Sequence, residues 1–482
     1  MPILLLLSII SACNTTATPP ETDPLAAKKP NYILIFCDDL GYGDIGPFGA
    51  QQHQTPHLDR MAAEGMKLTD FYVSSGVCTP SRSSLMTGCY PRRVDMHVNA
   101  YPPGKTEMRQ VLFAIAHKGL NPAEVTVAEV LKEKDYATGI IGKWHLGDQP
   151  EFLPTRQGFD YYFGIPYSND MGAGQFEGNP PLPLLRNEQV IEAPVDQSTL
   201  TKRYAEEAVK FITEKQDQPF FLYLPHTMPH NPVYASEAFA GKSANSTYGD
   251  AVEEIDWSVG QILNTLDSLG LSEQTLVVFT SDNGAAGNWG GSNAPLSGYK
   301  GSTLEGGMRV PCLMRWKGTV PAGTVQREMA TTMDILPTFA ALSGANLPQD
   351  RIIDGKDIRA LMMGEDGART PHEVFYYYQV DQLQAVREGE WKLHLPLEKR
   401  RMHVHKDGFE KSEARLYNLR TDMRERKNVA EDHPEVVARL LQYAQAARED
   451  LGDMDEAGKN QRTAAIVENP QPLIMKSSAG SR

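Results

Sequence analysis

Apolar residues fall along this chain in two rhythms. Asn31 to Cys37 (N-Y-I-L-I-F-C) is a short unbroken apolar run, and residues 138–141, 220–224 and 276–280 follow the same plan. Unbroken runs of this length predict strands buried on both faces, as at the centre of a parallel sheet. Between them, residues 55–64, 126–134, 200–214 and 248–269 carry apolar positions at helical spacing. Strands alternating with helices predict an α/β fold, one large mainly parallel or mixed sheet flanked by helices. Polar residues gather just past the strand ends, where open α/β sheets place their sites.

From about Ile352 the rhythm changes. Residues 373–378 and 384–395 read as antiparallel strands, the second with a turn at Gly389-Glu390, and residues 416–419 as another short strand. Pro434 suits the first turn of a helix over 434–449. This part reads as a smaller C-terminal α+β domain with an antiparallel sheet. The expected division is a leader over 1–13, a tether over 14–30, a catalytic domain over 31–350, the α+β subdomain over 351–460, and a poorly ordered tail over 461–482. At 482 residues the chain is long enough for two domains.

Composition narrows the functions. The chain carries 47 basic and 61 acidic side chains, a formal charge of −14. A nucleic-acid binder needs a basic surface to displace counterions, so no nucleic-acid partner is expected. An anionic substrate must be met by a local basic cluster.

Met1 to Cys13 is an apolar run too short to span a bilayer, with small residues near its end. Its ending, Ile10-Ser11-Ala12-Cys13, resembles a bacterial lipobox, which implies an exported lipoprotein carried on Cys13, in the periplasm or at the outer membrane or cell surface. The run lacks the Lys or Arg that usually precedes it, and plain secretion with cleavage nearby is the alternative. Pro19, Pro20, Pro24 and Pro30 make the following stretch a stiff tether. The other cysteines are Cys37, Cys78, Cys89 and Cys312, too few for a disulfide scaffold; Cys37 and Cys312 sit in apolar strand-like runs and read as buried free thiols.

The most specific segment is Cys78-Thr79-Pro80-Ser81-Arg82, continuing Ser83-Ser84-Leu85-Met86-Thr87-Gly88. Here the chain resembles the type I, formylglycine-dependent sulfatases of the arylsulfatase A kind, in the alkaline phosphatase superfamily. The resemblance covers roughly residues 31–347 in ordered blocks and implies an alkaline-phosphatase-like fold. It also implies that a sulfatase-maturing enzyme converts Cys78 to formylglycine. One hydroxyl of the hydrated aldehyde attacks sulfur and displaces the alcohol; the other then loses its proton, re-forms the carbonyl and expels sulfate. A serine has no such exit and would remain esterified. Arg82, one helical turn on, would hold the hydrate and neutralise anionic oxygens.

Asp38-Asp39 follows the first strand, and Asp282-Asn283 follows the run at 276–280. An Asp-Asp pair alone is often a cap or a turn. Two such acidic strand ends favour a hard divalent cation with oxygen ligands. The resemblance makes that ion calcium or magnesium, on Asp38, Asp39, Asp282, Asn283 and the modified Cys78, polarising the sulfate and lowering the pKa of the attacking hydroxyl.

Further blocks supply cations. Gly142-Lys143-Trp144-His145 follows the strand at 138–141 and matches the family string that places a lysine and a histidine beside the formylglycine; Asp135-Tyr136 stands where the family has Gly-Tyr. In Pro225-His226-Thr227-Met228-Pro229-His230-Asn231-Pro232, His230 matches the family histidine that binds sulfate and protonates the leaving alcohol, with His226 the competing candidate. The block from Asn293 to Gly301 offers Lys300 for a sulfate oxygen, and Gly306-Gly307 suggests close backbone approach. Ser168 matches a site serine of arylsulfatase A-like members, though a hydroxyl there also suits its own loop. Arg82, Lys143, His145, His230 and Lys300 would form a basic pocket in an acidic protein.

The expected function is hydrolysis of sulfate esters of carbohydrates or polysaccharides. A phosphonate or phosphodiester hydrolase of the same superfamily and a non-catalytic glycan-binding lipoprotein are the alternatives. Lys399-Arg400-Arg401, with His403 and His405, would contact a further sulfated unit or would be a solvated hairpin tip. Specificity would rest on loops such as 169–186 and 285–292.

Overall fold

The computed structural model describes residues 29–99, 110–174, 178–403 and 408–475. Cys13, most of the tether, His405 and residues 476–482 lie outside the described residues, as do residues 175–177 of the first specificity loop. Among the described residues, no helix is long and apolar enough to cross a membrane.

The apolar run at Asn31–Cys37 forms strand β1. With it in one sheet lie β2 (Met66–Tyr72), β3 (Ala137–Ile141), β4 (Tyr161–Gly164), β5 (Leu184–Arg186), β6 (Gln189–Glu192), β7 (Phe220–Pro225), β8 (Thr275–Ser281), β9 (Arg309–Arg315), β10 (Thr324–Gln326) and β11 (Ala330–Thr331). The 11-stranded sheet runs β10-β2-β9-β8-β1-β7-β3-β4-β5-β6, with β11 also on β2. Its centre, β8-β1-β7-β3-β4, is parallel, while β9, β5 and β6 pair antiparallel to their neighbours. The sheet is therefore mixed, parallel where the unbroken apolar runs lie.

Alternation along β1 shows why the run is unbroken. Tyr32, Leu34 and Phe36 enter one core, while Ile33, Ile35 and Cys37 enter the other. The second core takes residues of α1 (Pro56–Ala63), α4 (Leu200–Lys215) and α5 (Ser246–Ser268). The first takes those of α2 (Cys78–Thr87), α3 (Val127–Lys132), α6 (Ile335–Ser343) and the C-terminal part of the chain. With helices on both faces, each strand position must be apolar.

The C-terminal part builds a 4-stranded antiparallel sheet from β12 (Phe375–Gln379), β13 (Gln382–Glu388), β14 (Trp391–His394) and β17 (Arg415–Asn418), in that order. The turn expected at Gly389-Glu390 separates β13 from β14, with Gly389 at φ 55 turning the chain back. Between β14 and β17, β15 (Leu397–Arg401) pairs with β16 (Phe409–Ser412) as a separate hairpin. Helix α7 (Pro434–Leu451) begins with the expected proline and buries Leu440, Ala444 and Leu451.

The tail is a correction. The tail over 461–482 is expected to be poorly ordered, yet within it Ala465–Ile466 pairs antiparallel with Lys118–Gly119. The Arg462 side chain donates to Glu124 at 2.7 and 2.9 Å, and the Gln471 N–H to Gln149 Oε1 at 2.7 Å. Backbone pairing and ion pairs hold this segment, and neither requires the apolar periodicity that sequence reading seeks.

Candidate functional site

Four parallel strands deliver the site. Cys37 of β1 is in register with Ser281 of β8, so Asp38-Asp39 and Asp282-Asn283 leave adjacent strands at one level. Asp39 sits at φ 63, a strained value for a non-glycine residue, and its N–H donates to Asp282 Oδ1 at 3.1 Å. β3 delivers Lys143 through Gly142, whose φ is +134; a Cβ there would lie 1.9 Å from the Pro225 carbonyl oxygen. Only glycine fits. β7 leads into His226 and then His230.

Cys78 opens α2, a helix buried at all ten residues. Its Sγ lies 3.5 Å from Asp38 Oδ1 and 3.7 Å from Lys300 Nζ. Arg82, fully buried, donates to Asp282 Oδ2 at 2.9 Å and to the Lys143 carbonyl at 3.1 Å, and stands 3.7 Å from Asp38. Lys143 Nζ donates to Asp38 Oδ2 and, at 3.1 Å, meets Ser168 Oγ. Ser168 therefore faces Lys143 instead of satisfying only its own loop. Lys300 Nζ is 2.8 Å from the Asp39 carboxylate. Its loop is tied down by Lys300 N–H to the Ala285 carbonyl (3.0 Å) and Gly301 N–H to the Gly76 carbonyl (2.7 Å).

The two histidine candidates separate cleanly. His230 Nε2 is 3.7 Å from Asp39 Oδ2. His226 is wholly buried beside Tyr204, with Nε2 3.4 Å from Ser258 Oγ of α5, and burial pushes it down to about 3. His145, at φ 64, has Nε2 on the Leu112 carbonyl at 2.8 Å, while its buried Nδ1 has no partner. It forms no hydrogen bond to Cys78 among the described residues, and its carbonyl accepts from Thr79 Oγ1 at 3.0 Å.

Sequence reading missed Asn169. Its Nδ2 donates to Gln197 Oε1 and to the Pro232 carbonyl, both at 3.0 Å. A carbonyl only accepts, so the amide is oriented and Oδ1 faces His230 Nδ1 at 3.0 Å. The one signal was adjacency to Ser168; nothing in spacing links positions 169 and 230.

Electrostatics follow from burial and crowding. Burial would lift the Asp38 carboxyl, but Lys143, helped by His230, Arg82 and Lys300, holds it well below the usual range. Burial, reinforced by Asp38, pushes Asp282 up to about 7 despite Arg82. Burial raises the Cys78 thiol well above its ordinary value in spite of Lys143 and Lys300. His145 and His230 are both lowered, chiefly by burial.

These residues suit a hard cation. Ligand atoms of Asp38, Asp39, Cys78 and His230 all lie within 4.8 Å of one another. Asn283 Nδ2 donates to Asp39 Oδ1 at 2.7 Å, leaving its buried Oδ1 without a partner beside that group. An orphaned buried oxygen next to two carboxylates is what an oxygen-coordinated divalent ion satisfies. Asp282 adjoins the cluster, its oxygens turned to Arg82 and the Asp39 N–H.

Comparison with known proteins adds two family models. One described as "Sulfatase" matches residues 30–345, and one described as "N-sulphoglucosamine sulphohydrolase, C-terminal" matches residues 300–450. N-acetylgalactosamine-6-sulfatase of Canis lupus familiaris is 42% identical over 390 residues, covering 77% of this chain and 72% of that protein. Arylsulfatase A of Homo sapiens is 41% identical over 395 residues, covering 76% and 75%. A crystal structure of Ps i-CgsB with k-i-k-neocarrahexaose superposes with a TM-score of 0.73 at 30% identity, covering 87% of this chain and 92% of that one.

Proposed function

This chain belongs to the sulfatase family and is a sulfuric ester hydrolase; from that premise we propose that it removes sulfate from sulfated carbohydrates, using a formylglycine made from Cys78. The observation that carries this reading is the setting of Cys78. Its side chain opens a buried helix between Asp38 and Lys300, yet burial keeps the thiol protonated at neutral pH. A thiol in that state is a poor nucleophile, so the position makes sense once sulfur is replaced by a carbonyl. The hydrated aldehyde supplies one hydroxyl to take sulfate and a second whose deprotonation releases it.

Asp38, Asp39 and Asn283, with Asp282 alongside, would hold calcium or magnesium, which when bound supplies a Lewis acid for the sulfate oxygens. Lys143 and Lys300 reach the centre from opposite carboxylates and bind further sulfate oxygens, with Ser168 fixing the Lys143 ammonium. Arg82 holds the hydrate and offsets the negative charge of Asp282. His230, whose Nδ1–H is held by Asn169, presents Nε2 toward the centre and in its imidazolium form, with a second proton on Nε2, would hand that proton to the departing alcohol oxygen. Sulfated carbohydrate as substrate class is supported by the relatives, one an N-acetylgalactosamine-6-sulfatase and one bound to a carrageenan-type hexaose.

The test is expression with a sulfatase-maturing enzyme, peptide mass spectrometry at Cys78, and a screen of sulfated oligosaccharides with free-sulfate detection. Loss of the Cys78 sulfur together with sulfate release is expected. An intact thiol in active protein, or preference for phosphonate and phosphodiester substrates in parallel assays, overturns the reading. We also propose export with a lipid on Cys13. Cys13→Ser should then release the protein from the membrane fraction, and unchanged fractionation refutes the anchor.

A further inference from the structure

Between the Lys300 loop and the C-terminal sheet lies a cavity of about 230 Å³. It is smaller than the ~300–1,000 Å³ typical of sites for drug-sized ligands, and so is sized for a single small polar unit. The loop contributes Tyr299 and Ser302, on either side of Lys300; the sheet and its hairpin contribute Gln379, Arg400, Arg401 and His403. His403 Nε2 lies 2.8 Å from the Lys300 carbonyl, and its ring is 5.0 Å from that of Tyr299. One peptide thus sends its lysine to the reacting centre and its neighbours to this cavity.

Two features mark the cavity as built for a ligand. Gln379, at the end of β12, is only 5% exposed, and its Nε2 has no hydrogen-bond partner. Its neighbour Gln384 is fully engaged, with Oε1 accepting from Thr303 Oγ1 at 3.1 Å and Nε2 donating to the Arg401 carbonyl at 2.8 Å. A buried amide donor left unpaired beside a satisfied one calls for an acceptor from outside the protein. The second feature is Tyr299, a large residue that lines the cavity and is 47% exposed. The hairpin arginines add directional donors: Arg400 gives one N–H to Glu410 at 2.7 Å, and Arg401 grips Asp381 at 2.8 and 3.0 Å.

From this arrangement we infer that the cavity is a saccharide subsite, taking the sugar unit next to the one that bears the scissile sulfate. A sugar ring offers an apolar C–H face for Tyr299 and hydroxyl oxygens for Gln379 Nε2, Ser302 and the Arg400 guanidinium. The inference rests on the carbohydrate reading above and deepens it. Arg400 then acts as a hydrogen-bond donor to a sugar, and the hairpin ceases to be only a solvated tip.

The experiment uses the matured full-length enzyme with three substrates: an aryl sulfate, the sulfated monosaccharide selected by the screen, and that monosaccharide extended by one sugar at either end. For the wild type, one extension should raise kcat/KM about tenfold, the scale of one or two added hydrogen bonds. Gln379→Ala and Arg400→Gln should each erase most of that gain, chiefly through KM. The ratio of extended to single-unit substrate is the readout, so partial loss of folded protein cancels. Arg400→Gln lies on the hairpin and serves if Gln379→Ala proves insoluble. If extension gives the wild type no advantage, or both variants keep it, the subsite is refuted while the sulfatase reading stands. If aryl sulfate is cleaved but no sulfated sugar is, the carbohydrate reading fails and takes the subsite with it.

Discussion

Asn169 illustrates how one neutral side chain fixes the chemistry of another. Its amide is oriented by Gln197 and the Pro232 carbonyl, so His230 must donate from Nδ1, and the Nε2 face is held toward Asp39. Residues that orient such groups are worth about 10–100-fold in activity. Asn169→Leu should lower kcat by about that factor with a smaller effect on KM, and an unaltered kcat in steady-state kinetics on an aryl sulfate would remove Asn169 from the mechanism. His226 makes the contrasting case. Its pKa is lowered from 6.5 to about 3 in the folded protein, so below pH 6.5 the unfolded chain binds the proton first. Its contribution to stability is present above that pH and is lost as pH falls toward 3. His226→Gln should therefore shift acid unfolding, followed by circular dichroism, to lower pH. The candidate-site residues legible beforehand, and brought together by the fold, were those in short continuous strings: Cys78 to Arg82, Asp38-Asp39, Asp282-Asn283 and Gly142-Lys143. Asn169 was not, because its meaning comes from a partner that only folding brings near. Choosing between His226 and His230 likewise required knowing which one faces Asp39.

At the scale of elements, legibility followed burial. Strands sandwiched between helices announced themselves as unbroken apolar runs, whereas Gln189–Glu192 lies at the sheet edge and half exposed, and Leu184–Arg186 beside it, though buried, is only three residues long, so neither left such a mark. The junction of the two sheets was also hidden, being polar. Lys392 of β14 is fully buried, 2.9 Å from Glu305 and 3.0 Å from Glu425, and Glu425 also meets His394 at 2.6 Å. Burial alone would raise the Glu305 carboxyl, but Lys392, with Arg309 and Arg387, holds it down at about 2. Removing one partner of such a group strands the others, at a cost of about 3–5 kcal/mol. Lys392→Met should destabilise the protein by that amount in denaturant titrations; a loss below about 1 kcal/mol would show that the network contributes little. Gly142→Ala should be worse, since its Cβ collides with backbone at the Pro225 carbonyl and its φ is left-handed. Soluble, fully active Gly142→Ala protein would contradict that account.

For the molecule as a whole, the acid excess and the basic centre belong together. A chain of formal charge −14 repels polyanions in general, so the function proposed above assigns the grip on sulfate to Arg82, Lys143 and Lys300 at short range. Whole-chain features were only partly legible: the helix-covered sheet and the antiparallel second sheet were, while the course of the tail was not. Residues 460–475 run back along the first sheet's side of the molecule through Arg462, Ala465–Ile466 and Gln471. Truncation after Lys459 should therefore lower Tm by about 1–2 °C, as a loss of ~1–2 kcal/mol implies for a chain of this length, and an unchanged melting curve would show that these contacts are incidental.

The seat of Lys300 carries a mechanical implication. Its ammonium meets the Asp39 carboxylate, whereas its carbonyl is held by His403, just past the β15 strand. A displacement of His403 would therefore reach the side chain at Asp39 through a single residue, so the C-terminal part of the chain helps to brace the carboxylate cluster from outside it.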